Sequence, residues 1–168
     1  MQQAEYFDLI ADKTLRKIDD KSLYFYRRLP HRFISAYQYL LEQMPADLKN
    51  KKVLDLGSGN GDWYCFFASK GAQVTSINIS SKMVQLTKLK ANKLGFTKYI
   101  TAKTRSVLDI KKLKSDSFDI IWGSGILHHL PEKTIRETLK LTHKVLKKDG
   151  RTYFMEPVSH YKWSGLSS

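Results

Sequence analysis

Two short stretches of the sequence group glycines, a carboxylate and histidines closely enough to serve one ligand or one reaction. In VLDLGSGNGDWY, residues 53–64, the three glycines Gly57, Gly59 and Gly61 fall within five positions, shortly after Asp55. Glycine lets a backbone turn through positive φ and approach a ligand with no Cβ in the way. The free N–H groups of a following helix start then face that ligand. Such a loop suits a nucleotide-like molecule, but the Lys-Ser/Thr pair of a triphosphate loop is absent after Gly61. A carboxylate so close to the loop favours a cationic group, which Asp55 can meet directly or through water. In GILHHLP, residues 125–131, His128 and His129 offer imidazoles that can take a proton from a substrate near neutral pH. A histidine pair in a loop can equally be solvated or structural.

The apolar pattern supplies the strands and helices on which both stretches sit. Val53 to Leu56 reads as a strand, followed by a helix from Asp62 to Lys70 with Gly71 at its C-terminal cap. QVTSINI is a second strand. Ser80 then suits the N-cap of a helix whose Met83, Leu86, Leu89 and Leu94 lie near one face and which Gly95 closes. YITAKTR and SFDIIWGSG are the third and fourth strands. PEKTIRETLKLTHKVLK is a helix ended by Asp149-Gly150, and RTYFMEP is the fifth strand. Asp109 suits a turn or a cap. Strands separated by helices of this length form right-handed crossovers, and the fold class is α/β with a doubly wound, mainly parallel sheet. Ligands bind such sheets beyond the carboxyl ends of the strands, where strand order reverses. Ahead of this pattern, residues 1–50 read as a helical cap with an apolar stripe of Phe33, Tyr37, Leu40, Leu41 and Met44. Tyr24, Tyr26 and His31 belong to that segment as lid or as packing.

With these elements in place, VLDLGSGNG resembles the first motif of class I S-adenosylmethionine-dependent methyltransferases. VTSINISSKMV, SVLDI, SFDIIWGSGILHHLPE and KVLKKDGRTYFMEP resemble that family's later pieces in the expected order, over roughly residues 50 to 157. The resemblance implies a Rossmann-like methyltransferase fold over 51–157 and S-adenosylmethionine as cofactor. It implies cofactor contacts from Asp55, Gly57, Ser58, Gly59, Asn60 and Gly61 in the first loop, and from Asn78 and Ile79 after the second strand. Met83 on the next helix, Ser106 and Val107 after the third strand, and Gly123 at the end of the fourth complete the set. His129 and His128 would serve the acceptor or the chemistry, and no metal is expected. Two positions depart from the family pattern. Asn78 stands where an acidic residue usually grips the ribose, and Ser106 where an Asp usually meets the adenine amino group. Both changes exchange a charge-assisted bond for a weaker one.

The expected activity is methyl transfer to a small-molecule acceptor, because the LHHLP loop lacks the Asn/Asp-Pro-Pro-Tyr type signature of many nucleic-acid and protein methylases. Two alternatives stand beside it: an RNA methyltransferase, and a truncated or degenerate module that binds cofactor without catalysis. The first is favoured by a net charge of +13, from 29 Lys and Arg against 16 Asp and Glu, although the lysines are spread along the chain rather than clustered. No apolar run approaches the ~20 residues of a membrane span, and no secretory signal opens the chain, which fits a cytoplasmic protein. The single cysteine, Cys65, lies in the apolar run WYCFFA and suits a buried structural thiol. Beyond Pro157 only the tail 158–168 remains, too short for the last two strands that the family usually adds. Strand five is therefore expected at a sheet edge that a partner, such as a second copy in a homodimer, or the tail itself would cover.

Overall fold

The computed structural model describes residues 3–16 and 36–157. Its elements run α1 (Gln3–Arg16), α2 (Ala36–Glu42), β1 (Lys52–Leu56), α3 (Asp62–Ser69), β2 (Gln73–Asn78), α4 (Ser81–Lys93), β3 (Ile100–Thr104), β4 (Phe118–Ser124), α5 (Glu132–Val145) and β5 (Leu146–Met155). Short 3-10 turns at Val107–Lys112 and Leu127–His129 follow β3 and β4. The five strands are parallel in the order β3-β2-β1-β4-β5, so strand order reverses between β1 and β4. The glycine loop leaves the carboxyl end of β1 at that switch point. Tyr24, Tyr26, His31 and the tail 158–168 lie outside the described residues.

The central strand is buried on both faces, as an all-parallel sheet requires. On one face Val53, Ile120 and Trp122 pack with Tyr64, Phe67 and Tyr153, and Met44 and Leu48 close this cluster. On the other, Leu54, Leu56 and Ile121 pack with Leu141 and Val145 of α5. Each such side chain contributes about 1.5–3 kcal/mol on burial, which fixes the strands as a rigid frame for the loops at their ends.

Local signals behave as expected at several boundaries. Ser80 caps α4 by accepting from Met83 N at 3.0 Å. Gly71 and Gly95 take φ of +84° and +72° just beyond their helices. Ser106 and Asp109 form a reciprocal capping box on the 3-10 turn, which is the turn-or-cap role expected of Asp109. The start of β5 differs. Helix α5 stops at Val145, and Leu146 already pairs with Phe118. Regular pairing resumes only at Arg151 opposite Ile120, leaving 147–150 as a bulge. Leu146 is drawn into the sheet because it packs on the α5-side core, a tertiary preference that the helical periodicity of KVLKK does not contain.

Candidate active site

A cavity of about 300 Å³ opens at the carboxyl ends of the strands. Gly57 and Gly59 form its floor, Asn78 and Ile79 follow from β2, and Arg105, Ser106 and Val107 from the turn after β3. Gly125, Ile126 and His129 come from the loop after β4, and Gln3 and Phe7 reach in from α1. Gly57 and Gly59 have φ of +72° and +48°. A Cβ added at Gly59 would meet only the Gly57 carbonyl oxygen, at 3.9 Å, so the missing side chain opens space rather than filling a protein contact.

The remaining residues of the loop do other work. Asp55 is 2% exposed and does not line the cavity; Ser76 Oγ donates to its Oδ2 at 3.1 Å. Burial pushes its carboxyl up to about 7, against the opposing effect of that hydroxyl. The buried Ser58 Oγ receives long bonds, both 3.4 Å, from Asn78 Nδ2 and Thr87 Oγ1, while Asn60 is exposed. Gly61 opens α3, and a Cβ there would collide with the Tyr64 ring. At the carboxyl end of β4, Gly123 leaves room for the Phe154 ring, 2.6 Å from where its Cβ would be. Met83 packs with Ala11 and Leu86 between α4 and α1. The structure thus brings Gly57, Gly59, Asn78, Ile79, Ser106, Val107 and His129 to one cavity, and sets Asp55, Ser58, Asn60, Gly61, Met83, Gly123 and His128 around or beneath it.

Helix α1 ties the two walls together. Gln3 Nε2 donates to the His129 carbonyl oxygen at 2.9 Å, and the Phe7 ring meets the His129 ring edge-on at 5.3 Å. Asp8 accepts from Ser80 Oγ and, at 3.1 Å, from Lys82 N, so it sits on the start of α4. Burial first, then the neighbouring His128, hold the His129 imidazole below its ordinary range, with Glu156 acting in the opposite sense. His128 lies against His129, with ring centroids 3.8 Å apart. Gln3, Phe7, Arg105 and Glu156 were not visible as site residues in the sequence. For Glu156 a signal existed, since FMEP puts a carboxylate at the carboxyl end of a strand; for Gln3 and Phe7 there was none.

A family model described as a methyltransferase domain matches residues 53–150. The chain belongs to the methyltransferase domain family. Its curated relatives include the ubiquinone biosynthesis O-methyltransferase of Xanthomonas oryzae pv. oryzae, 29% identical over 107 residues, which cover 64% of this chain and 43% of that protein. That of Idiomarina loihiensis is 28% identical over 114 residues, covering 68% of this chain and 45% of the relative. The methyltransferase domain chain thus spans less than half the length of these relatives. Among solved structures, a Haemonchus contortus phosphoethanolamine N-methyltransferase with phosphoethanolamine and S-adenosylhomocysteine bound superposes with a TM-score of 0.68. It is 21% identical, with 94% of this chain and 34% of that one covered. An S-adenosylmethionine-dependent methyltransferase of Aquifex aeolicus gives 0.64 at 21% identity, covering 87% and 72%. These two share the fold.

The Aquifex aeolicus protein is S-adenosylmethionine-dependent and the Haemonchus contortus one holds S-adenosylhomocysteine, and the residues present here fit S-adenosylmethionine as cofactor. The side-chain-free cradle at Gly59 and the buried carboxylate of Asp55, two residues before the loop, suit a ligand with a bulky nucleoside and an ammonium group. Asn78 is partly committed, because its Oδ1 accepts from Ser80 N at 2.8 Å. Asn78→Asp keeps that bond and adds charge toward the cavity. It should tighten S-adenosylmethionine by on the order of 1 kcal/mol, read by calorimetric titration. Unchanged or weaker binding would mean that the side chain serves only Ser80 and Ser58.

Proposed function

We propose that this methyltransferase domain transfers the methyl group of S-adenosylmethionine to a small-molecule acceptor. The observation that carries the reading is the cavity in which the glycine floor and His129 line the same space. When bound, S-adenosylmethionine supplies a methyl group on a sulfonium that is already a good leaving group. The chain's part is then orientation and exclusion of water. Gly59 admits the cofactor to the backbone, Gly57 gives its Cβ space to Ile126 beside it, Asp55 attracts the ammonium group, and Asn78, Ile79, Ser106 and Val107 flank the nucleoside. His129, held below its ordinary range, is largely neutral at pH 7 and can accept a proton from the acceptor. The curated relatives are named as O-methyltransferases, which supports a hydroxyl acceptor, a group that must lose its proton.

Calorimetry and a labelled-methyl transfer assay test this. Gly59→Val should abolish cofactor binding, because its side chain enters the open cradle, at a stability cost of about 1 kcal/mol for the positive φ. Equal affinity of variant and wild type would remove the assignment. His129→Ala should lower methyl transfer at least ~10-fold with nearly unchanged cofactor affinity; a lower melting temperature alone would make the residue structural. A second reading, RNA as acceptor, is supported by the +13 charge and by Lys51, Lys147, Lys148 and Arg151 around a second cavity at the opposite ends of the strands. A steep salt dependence of RNA binding would favour it. We further infer that the β5 edge, the last position in the sheet order, is covered by a second copy or by the tail 158–168; sedimentation distinguishes the two.

A further inference from the structure

Glu156 follows the last residue of β5 and is no part of the cavity wall, yet four hydrogen bonds converge on its carboxylate. Oε1 accepts from Ile126 N at 3.0 Å and Leu127 N at 2.9 Å; Oε2 accepts from His128 N at 3.2 Å and lies 2.7 Å from His128 Nδ1. Burial raises this carboxyl, but the bonds from His128 and from the three backbone N–H groups outweigh it and keep the group below its ordinary value. The turn Leu127–His129 has no side-chain cap of its own. A residue about thirty positions later therefore satisfies the N–H groups that a local cap would. Gly125 N, donating to Met155 O at 2.7 Å, fastens the same loop to β5. Because a carboxylate only accepts, His128 Nδ1 carries a proton and the ring is fixed in one orientation. That ring is the surface against which His129 rests, while Phe7 holds the other side.

We propose that Glu156 is a positioning residue of the acceptor site: it sets the backbone of the histidine turn and, through the His128 ring, presents His129 to the cavity. This rests on the reading of His129 given above. A three-residue turn without a local cap would otherwise let the imidazole wander, and displacement by ~1 Å at a reacting group can cost ~100-fold in rate. The ionisable groups around His129 are His128 on its own turn, Glu156 at the end of β5 and Arg105 across the cavity. On the adjoining helices stand Glu5, Asp8, which is engaged with the start of α4, and Glu132, which is bonded to Arg136.

The test is a pH titration of the His128 and His129 rings by NMR in wild type, Glu156→Gln and Glu156→Ala. Gln keeps an acceptor for Ile126 and Leu127 N–H but loses the charge, so the turn stays in place and the His129 midpoint should move down, having lost the group that raises it. Ala releases the turn, so His129 leaves its burial and its midpoint should move up toward ordinary imidazole. Shifts in opposite directions support the proposal; identical His129 titrations in all three proteins overturn it. Calorimetry with S-adenosylmethionine accompanies each protein, and the affinity of Glu156→Gln should stay within ~2-fold of wild type, since its turn stays in place and Glu156 does not line the cavity. Absence of binding in wild type would instead overturn the proposed function, an outcome the ring titration does not mimic.

Discussion

Affinity for S-adenosylmethionine should fall by up to ~10-fold for each pH unit below 7 and level off above it. The cause, on the role proposed for Asp55, is that burial lifts its carboxyl from 3.8 to about 7, so that the charge proposed to attract the cofactor's ammonium group develops only around neutral pH and above. Stability runs the other way. Between the ordinary value and 7 the folded chain binds more protons than the unfolded one, so this residue's contribution is intact at low pH and is lost as pH rises through that window. The cost of the buried charge at pH 8 has an upper bound of about 4 kcal/mol. Asp55→Asn should therefore flatten the pH dependence and weaken cofactor binding, yet raise the melting temperature above pH 7. Titrations of wild type and variant from pH 5 to 8, with thermal melts alongside, decide it. Flat wild-type affinity matched by Asp55→Asn would leave Asp55 as a partner of Ser76 alone.

The second large effect belongs to Gly61. An ideal Cβ there would lie 2.0 Å from Tyr64 Oη and 2.3 Å from two atoms of its ring, with φ at +84°. The Tyr64 ring cannot swing aside: it is fully buried, and its hydroxyl donates to Thr87 O at 3.1 Å. Overpacking and backbone strain together should cost Gly61→Ala about 3 kcal/mol. Gly95→Ala is the control, since nothing lies within 4 Å of its Cβ and only the φ of +72° resists; about 1 kcal/mol is expected there. Urea denaturation of both measures the difference. Equal midpoints would mean that the Tyr64 ring yields.

That contrast shows how far the site could be read from the chain. Periodicity and cap chemistry are local properties, and they suffice for the parallel sheet, the Ser80 cap and the turn-or-cap role of Asp109. The glycine triplet and its carboxylate likewise announce a ligand loop. Which glycine faces the ligand is not local, however: Gly59 faces open space because nothing packs on it, whereas Gly61 is small because Tyr64 occupies its place. Met83 depends on α1 in the same way. Its neighbours Ala11 and Leu86 show that it fills a helix interface, which no spacing within α4 could distinguish from a cofactor contact. Gln3 reaches His129 across 126 positions of sequence, and Glu156 reaches Leu127 across 29. Such contacts arise only once the sheet has brought its ends together.

Cys65, the single cysteine of the sequence, is 1% exposed on the face of α3 that lies on the sheet, and burial pushes its thiol up to about 12. Only the thiolate reacts with an alkylating reagent, so capture of this sulfur requires α3 to lift away. The rate of capture then counts transient openings of the domain in the way amide exchange does. Any molecule that binds the closed form alone slows that count by a factor of one plus its concentration over its dissociation constant. The chain thus contains a reporter against which candidate acceptors can be ranked one after another, before the reaction they undergo is known.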